Sequence, residues 1–207
     1  MLYERLAKVF DSVDSKSGRL EMTDDLILFF SSCPIKDIER TIRLTKGEIR
    51  PGYMGLDIGI AEKLAVKTLS MVTALPEGEI NVIRNETGDI GKTAEIIIGK
   101  KKQTSLFSTP LTVDRVFDNL EKIAKREGKD SRDYKIKTIA EMLHDSSPIE
   151  AKYLVRTICS KMRIGIADMT IIDALTHSFT GNFDNLIDEI SNYDLPESYR
   201  IIIGKIN

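Results

Sequence analysis

From Leu2 onward, apolar residues return every three or four positions, the period of a helix with one buried face. Leu2, Leu6, Val9 and Phe10 mark a first helix over 2–13, and the polar run 14–18 ends it. A second is predicted over 22–32, with Thr23 as N-cap and Leu26, Phe29 and Phe30 inward. Pro34 separates it from a helix over 35–46; Gly47 ends that one, and Pro51-Gly52 prevents its continuation. The next spans 58–71, with Pro76-Glu-Gly78 closing its trailing segment. Thr112 caps a strongly phased helix carrying Val113, Val116, Phe117, Leu120, Ile123 and Ala124, which Gly128 ends. Ile136, Ile139, Ala140 and Leu143 mark another. Ser147-Pro-Ile-Glu150 reads as a capping box with Pro at the first helical position. After Phe179 and Gly181 a last helix is predicted over 182–191, and 198–207 reads as helix or linker. Together these elements predict an all-α fold, a single domain of about a dozen helices joined by short loops.

Two stretches of this pattern nearly repeat each other. Arg43 and Arg50 are spaced like Arg156 and Arg163, and Ile58-Gly-Ile-Ala-Glu62 returns as Ile164-Gly-Ile-Ala-Asp168. The first copy carries an insert, Pro51 to Asp57, between its last Arg and its Gly. One helical unit used twice implies two pseudo-symmetric halves, roughly 1–105 and 111–195.

In each copy a basic helix ends, a short turn follows and a new helix starts at or just after Gly. Lys152, Arg156 and Arg163 share one helix face if the helix stays regular. A helix start presents unpaired N–H groups and the positive end of the dipole, and Gly lets a bulky anion approach. Arg beside such a start makes a phosphate site, and two sites in related halves would straddle the two backbones of a groove. A solvated Lys/Arg face and a Gly C-cap leave the same trace, so the spacing keeps both readings open.

Composition modifies this picture in one respect. The 207 residues hold 30 Lys and Arg against 32 Asp and Glu, a net charge of −2, whereas nucleic-acid binders usually carry a basic excess. The distribution softens the objection: cations gather in the two echoes and at Gly99-Lys-Lys-Lys102, and acids such as Asp184, Asp188 and Glu189 gather near the end. Cys33 and Cys159 form no CxxC pair, so a reducing cytoplasm is the expected home. The start is charged at once, unlike a signal peptide, and no apolar run approaches a membrane span.

Three further motifs bear on chemistry. Gly88-Asp-Ile-Gly-Lys-Thr93 looks like a phosphate-binding P-loop, but Glu86 stands where its first Gly is needed; a P-loop-like NTPase is a remote alternative built on Lys92. His144 and His177 lack partners at metal-ligand spacing, and no metal site or catalytic residue is expected. Gln103-Thr-Ser-Leu-Phe107 is similar to a shortened sliding-clamp (PCNA) interaction peptide: Leu106 and Phe107 would plug an apolar pocket and Gln103 would bond at its rim. The same two side chains would equally pin the loop to its own core.

The chain as a whole resembles the N-terminal DNA-binding domain of ATP-dependent DNA ligases, most of all the archaeal ones. The likeness rests on Glu150-Ala-Lys-Tyr-Leu-Val-Arg156, Met162-Arg-Ile-Gly-Ile-Ala167 and Asp173-Ala-Leu175. It extends to Gly47-Glu-Ile-Arg-Pro51, Gly59-Ile-Ala-Glu-Lys63, Gly88-Asp-Ile-Gly91, Leu111-Thr112 and Lys135-Ile136. It implies a module that grips nicked duplex DNA by its phosphates, largely from the minor-groove side, for an enzyme of DNA replication, repair and recombination. The contacts so implied are Arg43, Arg50, Gly59, Lys63, Arg163, Gly165 and Thr170, with Lys46, Lys92, Lys161 and Arg156 as further candidates. Arg156 sits mid-helix, where a bridge to a core acid is the alternative role. The family's Lys-x-Asp-Gly adenylation motif is absent from this chain, so ATP and Mg2+ are expected to belong to the adenylation and OB-fold domains of a full-length ligase. Alone, this chain is expected to be inactive in nick sealing, and sliding clamp is a candidate partner. A helical protein-interaction scaffold without DNA binding is the competing reading.

Overall fold

Apolar positions with helical phase become helices, and the ends obey local capping chemistry. The computed structural model describes residues 1–49, 58, 60–100, 109–128 and 130–179. Among them are ten helices: α1 (Tyr3–Asp14), α2 (Arg19–Phe30), α3 (Ile35–Lys46), α4 (Glu62–Thr73), α5 (Glu77–Thr87), α6 (Ile90–Gly99), α7 (Val113–Lys125), α8 (Ser131–Asp145), α9 (Pro148–Ile158) and α10 (Asp168–Ser178). The fold is all-α, with somewhat fewer helices than the dozen expected; the helix predicted over 182–191 and the 198–207 segment lie outside the described residues. Thr112 and Ser147 stand at the N-caps the sequence pointed to, the helix after Pro34 starts at Ile35, and Ser147 and Glu150 form the full reciprocal capping box.

Three boundaries differ for physical reasons. The second helix starts at Arg19, capped by an extended Gly18; Thr23 lies inside it, and its hydroxyl donates to the Arg19 carbonyl (2.9 Å). The fourth starts at Glu62 because Ile58 and Ile60 are buried ahead of it, and the Ile60 N–H donates to Ile158 O (3.2 Å) rather than to its own helix. The seventh stops at Lys125, short of Gly128. Leu2 is not part of the inward face of α1: it is half exposed and pairs with Thr112 in an isolated antiparallel bridge.

That bridge joins the starts of two helices. Tyr3 N–H donates to Leu111 O and Val113 N–H donates to Met1 O, both at 2.9 Å, so α1 and α7 start from one reciprocal pairing. The remaining helices follow suit. α2 packs on α10 and α8 on α4; α1 packs on α9 and α7 on α3. Each of these contacts joins one half to the other. Arg115 of α7 bonds Asp145 at the end of α8, and Arg5 of α1 bonds Ser32 just past α2, the same tie made with different chemistry. Helices α5 and α6 stand outside the repeat; α5 packs on α4 and α6, and α6 lies along α9. A continuous apolar core runs through both halves, from Phe10, Leu26 and Phe30 to Leu120, Leu154 and Ile171. Both cysteines are free and buried, and burial pushes their thiols up, to about 11 for Cys33 and about 12 for Cys159, so neither is a reactive nucleophile.

Helix α6 lies tightly against α9 at Gly91. A Cβ built on Gly91 would lie 2.6 Å from Arg156 Cγ and 2.7 Å from the Lys152 carbonyl oxygen, and the latter is backbone and cannot swing aside. Gly91→Ala is therefore expected to lower stability by about 1–3 kcal/mol, read as a reduced urea midpoint. An unchanged midpoint would mean that α6 and α9 do not meet at this glycine.

Candidate nucleic-acid interface

The two echoes fold into two helix–turn–helix units with the same joints. At the end of α3, Gly47 is left-handed (φ 70°), its N–H donates to Leu44 O and the Glu48 N–H reaches back to Arg43 O, both at 3.0 Å. After α9, Ser160 takes the same left-handed conformation (φ 54°), donating to Thr157 O (3.1 Å), while the Lys161 N–H reaches Arg156 O (2.8 Å). Each is the paired-bond C-cap that usually employs Gly; Ser160 adopts it at a cost of roughly 1 kcal/mol. The following helices also start alike. Ala61 and Ala167 are extended N-caps without side-chain bonds, and Leu64 and Thr170 donate to their carbonyls at 2.8 and 2.9 Å.

The two joints abut each other. A Cβ on Gly47 would lie 3.1 Å from the Met162 Cβ, and the Ile60–Ile158 bond crosses between the halves. Ion pairs cross as well. Lys161, after α9, lies 2.5 Å from Glu62 Oε1 at the start of α4; Lys46, ending α3, lies 3.3 Å from Asp168 Oδ1 at the start of α10. Glu62 also meets Arg84 (3.3 Å), and Lys46 also meets Glu48 (3.7 Å). A carboxylate at the first helical residue is favourable because the helix dipole presents its positive end there.

The candidate contact residues divide by burial. Lys63, Lys92, Arg163 and Gly165 are exposed. Lys46 and Lys161 are half buried and ion-paired. Arg43, Arg156 and Thr170 are inside, at 1%, 4% and 2% exposure, so none of the three presents its side chain to an outside phosphate. Arg50 and Gly59 lie outside the described residues, as do Gln103, Leu106 and Phe107. Lys152, Arg156 and Arg163 do not share a helix face: α9 ends at Ile158, and Arg163 stands in the turn with a left-handed backbone (φ 46°). Gly165 (φ 68°) precedes the α10 start instead of forming it. Arg43 gives its Nε to Glu39 Oε1 (2.7 Å), one turn back along α3.

Arg156 takes the alternative role, bridging acids. Its Nη1 donates to Asp14 Oδ2 (3.0 Å) and its Nη2 to Asp89 Oδ2 (2.9 Å). Lys152 reaches Asp11 (2.5 Å) and Asp14 (3.4 Å), and the Tyr153 hydroxyl donates to Asp11 Oδ1 (3.1 Å). One cluster thus ties α1 and the start of α6 to α9. Asp89 also caps α6, accepting from the Lys92 N–H (2.9 Å). This geometry removes the P-loop reading: the preceding segment is helix α5, not a strand, and a carboxylate already holds the amide that a phosphate would need. Asp11, Asp14 and Asp89 carried no signal of this role in the sequence beyond being acids, since their partner lies far along the chain. Among the described residues, no three His, Cys, Asp or Glu side chains converge to hold a metal ion, and no helix is long and apolar enough to cross a membrane.

Burial works to raise the Asp89 carboxyl, but the Arg156 hydrogen bond and charge and the Lys92 amide outweigh it, leaving it below the usual carboxylate range. Its ionised form is therefore favoured by folding; that stability is full above roughly pH 4 and is lost as pH falls further. Arg156→Ala should cost about 1–3 kcal/mol at neutral pH, because it leaves two partly buried acids without their shared partner. Asp89→Asn should lower the melting temperature at pH 7 and flatten its fall below roughly pH 4. Melting curves across pH check both; a variant that melts like wild type throughout would contradict the bridging role.

With the geometry established, the relatives of the chain can be weighed. A family model described as DNA ligase N terminus matches residues 2–176. DNA ligase 2 of Korarchaeum cryptofilum is 39% identical over 174 residues, covering 84% of this chain and 29% of the relative. DNA ligase of Nitrosopumilus maritimus is 37% identical over 185 residues, covering 89% and 32%. A probable DNA ligase of Aquifex aeolicus is 38% identical over 188 residues, covering 89% and 31%. The chain thus spans about a third of the length of these relatives. The family match over nearly all the described residues, and relatives of consistent kind, make the chain a member of the DNA ligase N-terminal domain family.

Proposed function

We propose that this chain is the DNA-gripping domain of an ATP-dependent DNA ligase and that it holds nicked duplex by its phosphates, with little regard to sequence. Family membership carries the reading, and two like turns set against each other support it physically. Each turn offers an exposed cation beside a helix start: Lys63 in the first turn of α4 and Arg163 ahead of α10. Gly165 leaves the backbone there open to close approach. Arg50, Gly59 and Lys92 are proposed to extend this surface. Arg43, Arg156 and Thr170 support it from inside, by fixing the helices whose ends form the turns. Phosphate contacts of this kind release counterions, position the duplex and carry no base readout.

Nick sealing in replication, repair and recombination belongs in this proposal to the whole enzyme. ATP and Mg2+ are proposed to act in the adenylation and OB-fold domains of that enzyme. Gln103, Leu106 and Phe107 are proposed to dock a sliding clamp.

Anisotropy of a labelled nicked duplex over a salt series tests the grip. Wild type should bind with strong salt dependence, and Arg163→Ala should lower the log–log slope by about 0.9. No binding at low salt would favour a protein-interaction scaffold instead. For the clamp, Phe107→Ala should weaken clamp affinity by calorimetry while DNA affinity stays unchanged; an unaltered clamp affinity would reject that docking site.

A further inference from the structure

We propose that Glu62 and Asp168 are built-in competitors of DNA phosphate: they occupy Lys161 and Lys46 in the unbound domain and so keep its grip weak and reversible. The inference rests on the proposed DNA-binding reading and deepens it. Three observations and one chemical argument carry it. Both halves place a carboxylate at the same structural position, the first residue of the helix that follows the turn. Each carboxylate takes a lysine from the other half, at 2.5 Å for Lys161–Glu62 and 3.3 Å for Lys46–Asp168. The acids are within reach of solvent: the side chains of Lys161 and Glu62 keep 40% and 30% of their exposure, and Asp168 keeps 46% beside a more buried Lys46 at 16%. A carboxylate and a phosphodiester present the same anionic oxygens to a lysine, so one can take the place of the other without rebuilding the turn. The near-neutral net charge of −2 fits a surface whose cations are partly held in reserve.

A purely structural role makes a different prediction. An acid at a helix start stabilises the helix through the dipole, so its removal would lower stability and leave DNA affinity alone or reduce it. A competitor would do the reverse to affinity: its removal releases a lysine for phosphate.

The experiment is nicked-duplex anisotropy over a salt series with Glu62→Gln, Asp168→Asn, Lys161→Ala and the Glu62→Gln/Lys161→Ala double variant, each checked for folding by circular dichroism. Glu62→Gln and Asp168→Asn should each raise affinity roughly threefold to tenfold near 0.1 M salt and steepen the slope by up to about 0.9. The gain from Glu62→Gln should shrink in the double variant, because Lys161 supplies the larger part of it and Arg84, the other partner of Glu62, the rest. Folded single variants that bind like wild type, or more weakly, would overturn the competitor role. A gain left undiminished by loss of Lys161 would also overturn it, because the released lysine would then contribute nothing. Absence of wild-type binding would overturn the DNA-gripping reading and this inference together.

Discussion

Everything in this fold hangs on a reciprocal exchange between its halves. Tyr3 bonds Leu111 and Val113 bonds Met1 through the main chain, so the helices α1 and α7 leave one point in related directions. From there each half lays its helices on the other: α2 on α10, α8 on α4, α1 on α9 and α7 on α3. Helices also pack within a half, α1 on α2 and α7 on α8, and the apolar core runs without a break through both. The same exchange brings the α3–α4 and α9–α10 turns against each other, with Gly47 facing Met162 and Ile60 bonded to Ile158. Function, in the reading proposed here, belongs to the pair of turns and not to either alone.

Charge is sorted by the same architecture. Cations on the inner sides of α3 and α9 are structural. Arg156 and Lys152 meet Asp11, Asp14 and Asp89, and this cluster also decides where α6 may sit. Replacing one member leaves buried charge without compensation, which is why such clusters specify a geometry more than they add net stability. Cations on the turns are either exposed, as with Lys63 and Arg163, or matched to an acid across the halves, as with Lys161 and Lys46. A domain of near-neutral charge can in this way present a local basic surface without spreading a positive field.

How much of this was legible in the sequence depends on the range of the interaction. Capping at Thr112 and Ser147, the stop at Gly47 and the start after Pro34 are decided within four residues, and the sequence states them openly. The repeated Ile-Gly-Ile-Ala-acid stretch reveals the two like units for the same reason. The start of α4 was placed too early because Ile58 and Ile60 have helical phase but spend their burial in a turn held by the opposite half. Lys152, Arg156 and Arg163 looked like one basic face because spacing assumes a helix that continues, whereas a left-handed Ser160 ends it. Nothing local marks Asp14 or Asp89 as the partners of Arg156; that pairing exists only once α1, α6 and α9 meet.

The claim that both turns act together is tested most directly by hydrogen–deuterium exchange of the full chain with and without nicked duplex. Amides over 58–66 and 158–170 should gain protection together, at one DNA concentration dependence, while those of α8 stay unchanged. Protection confined to one of the two segments, or centred elsewhere on the molecule, would contradict a grip made jointly by the two halves.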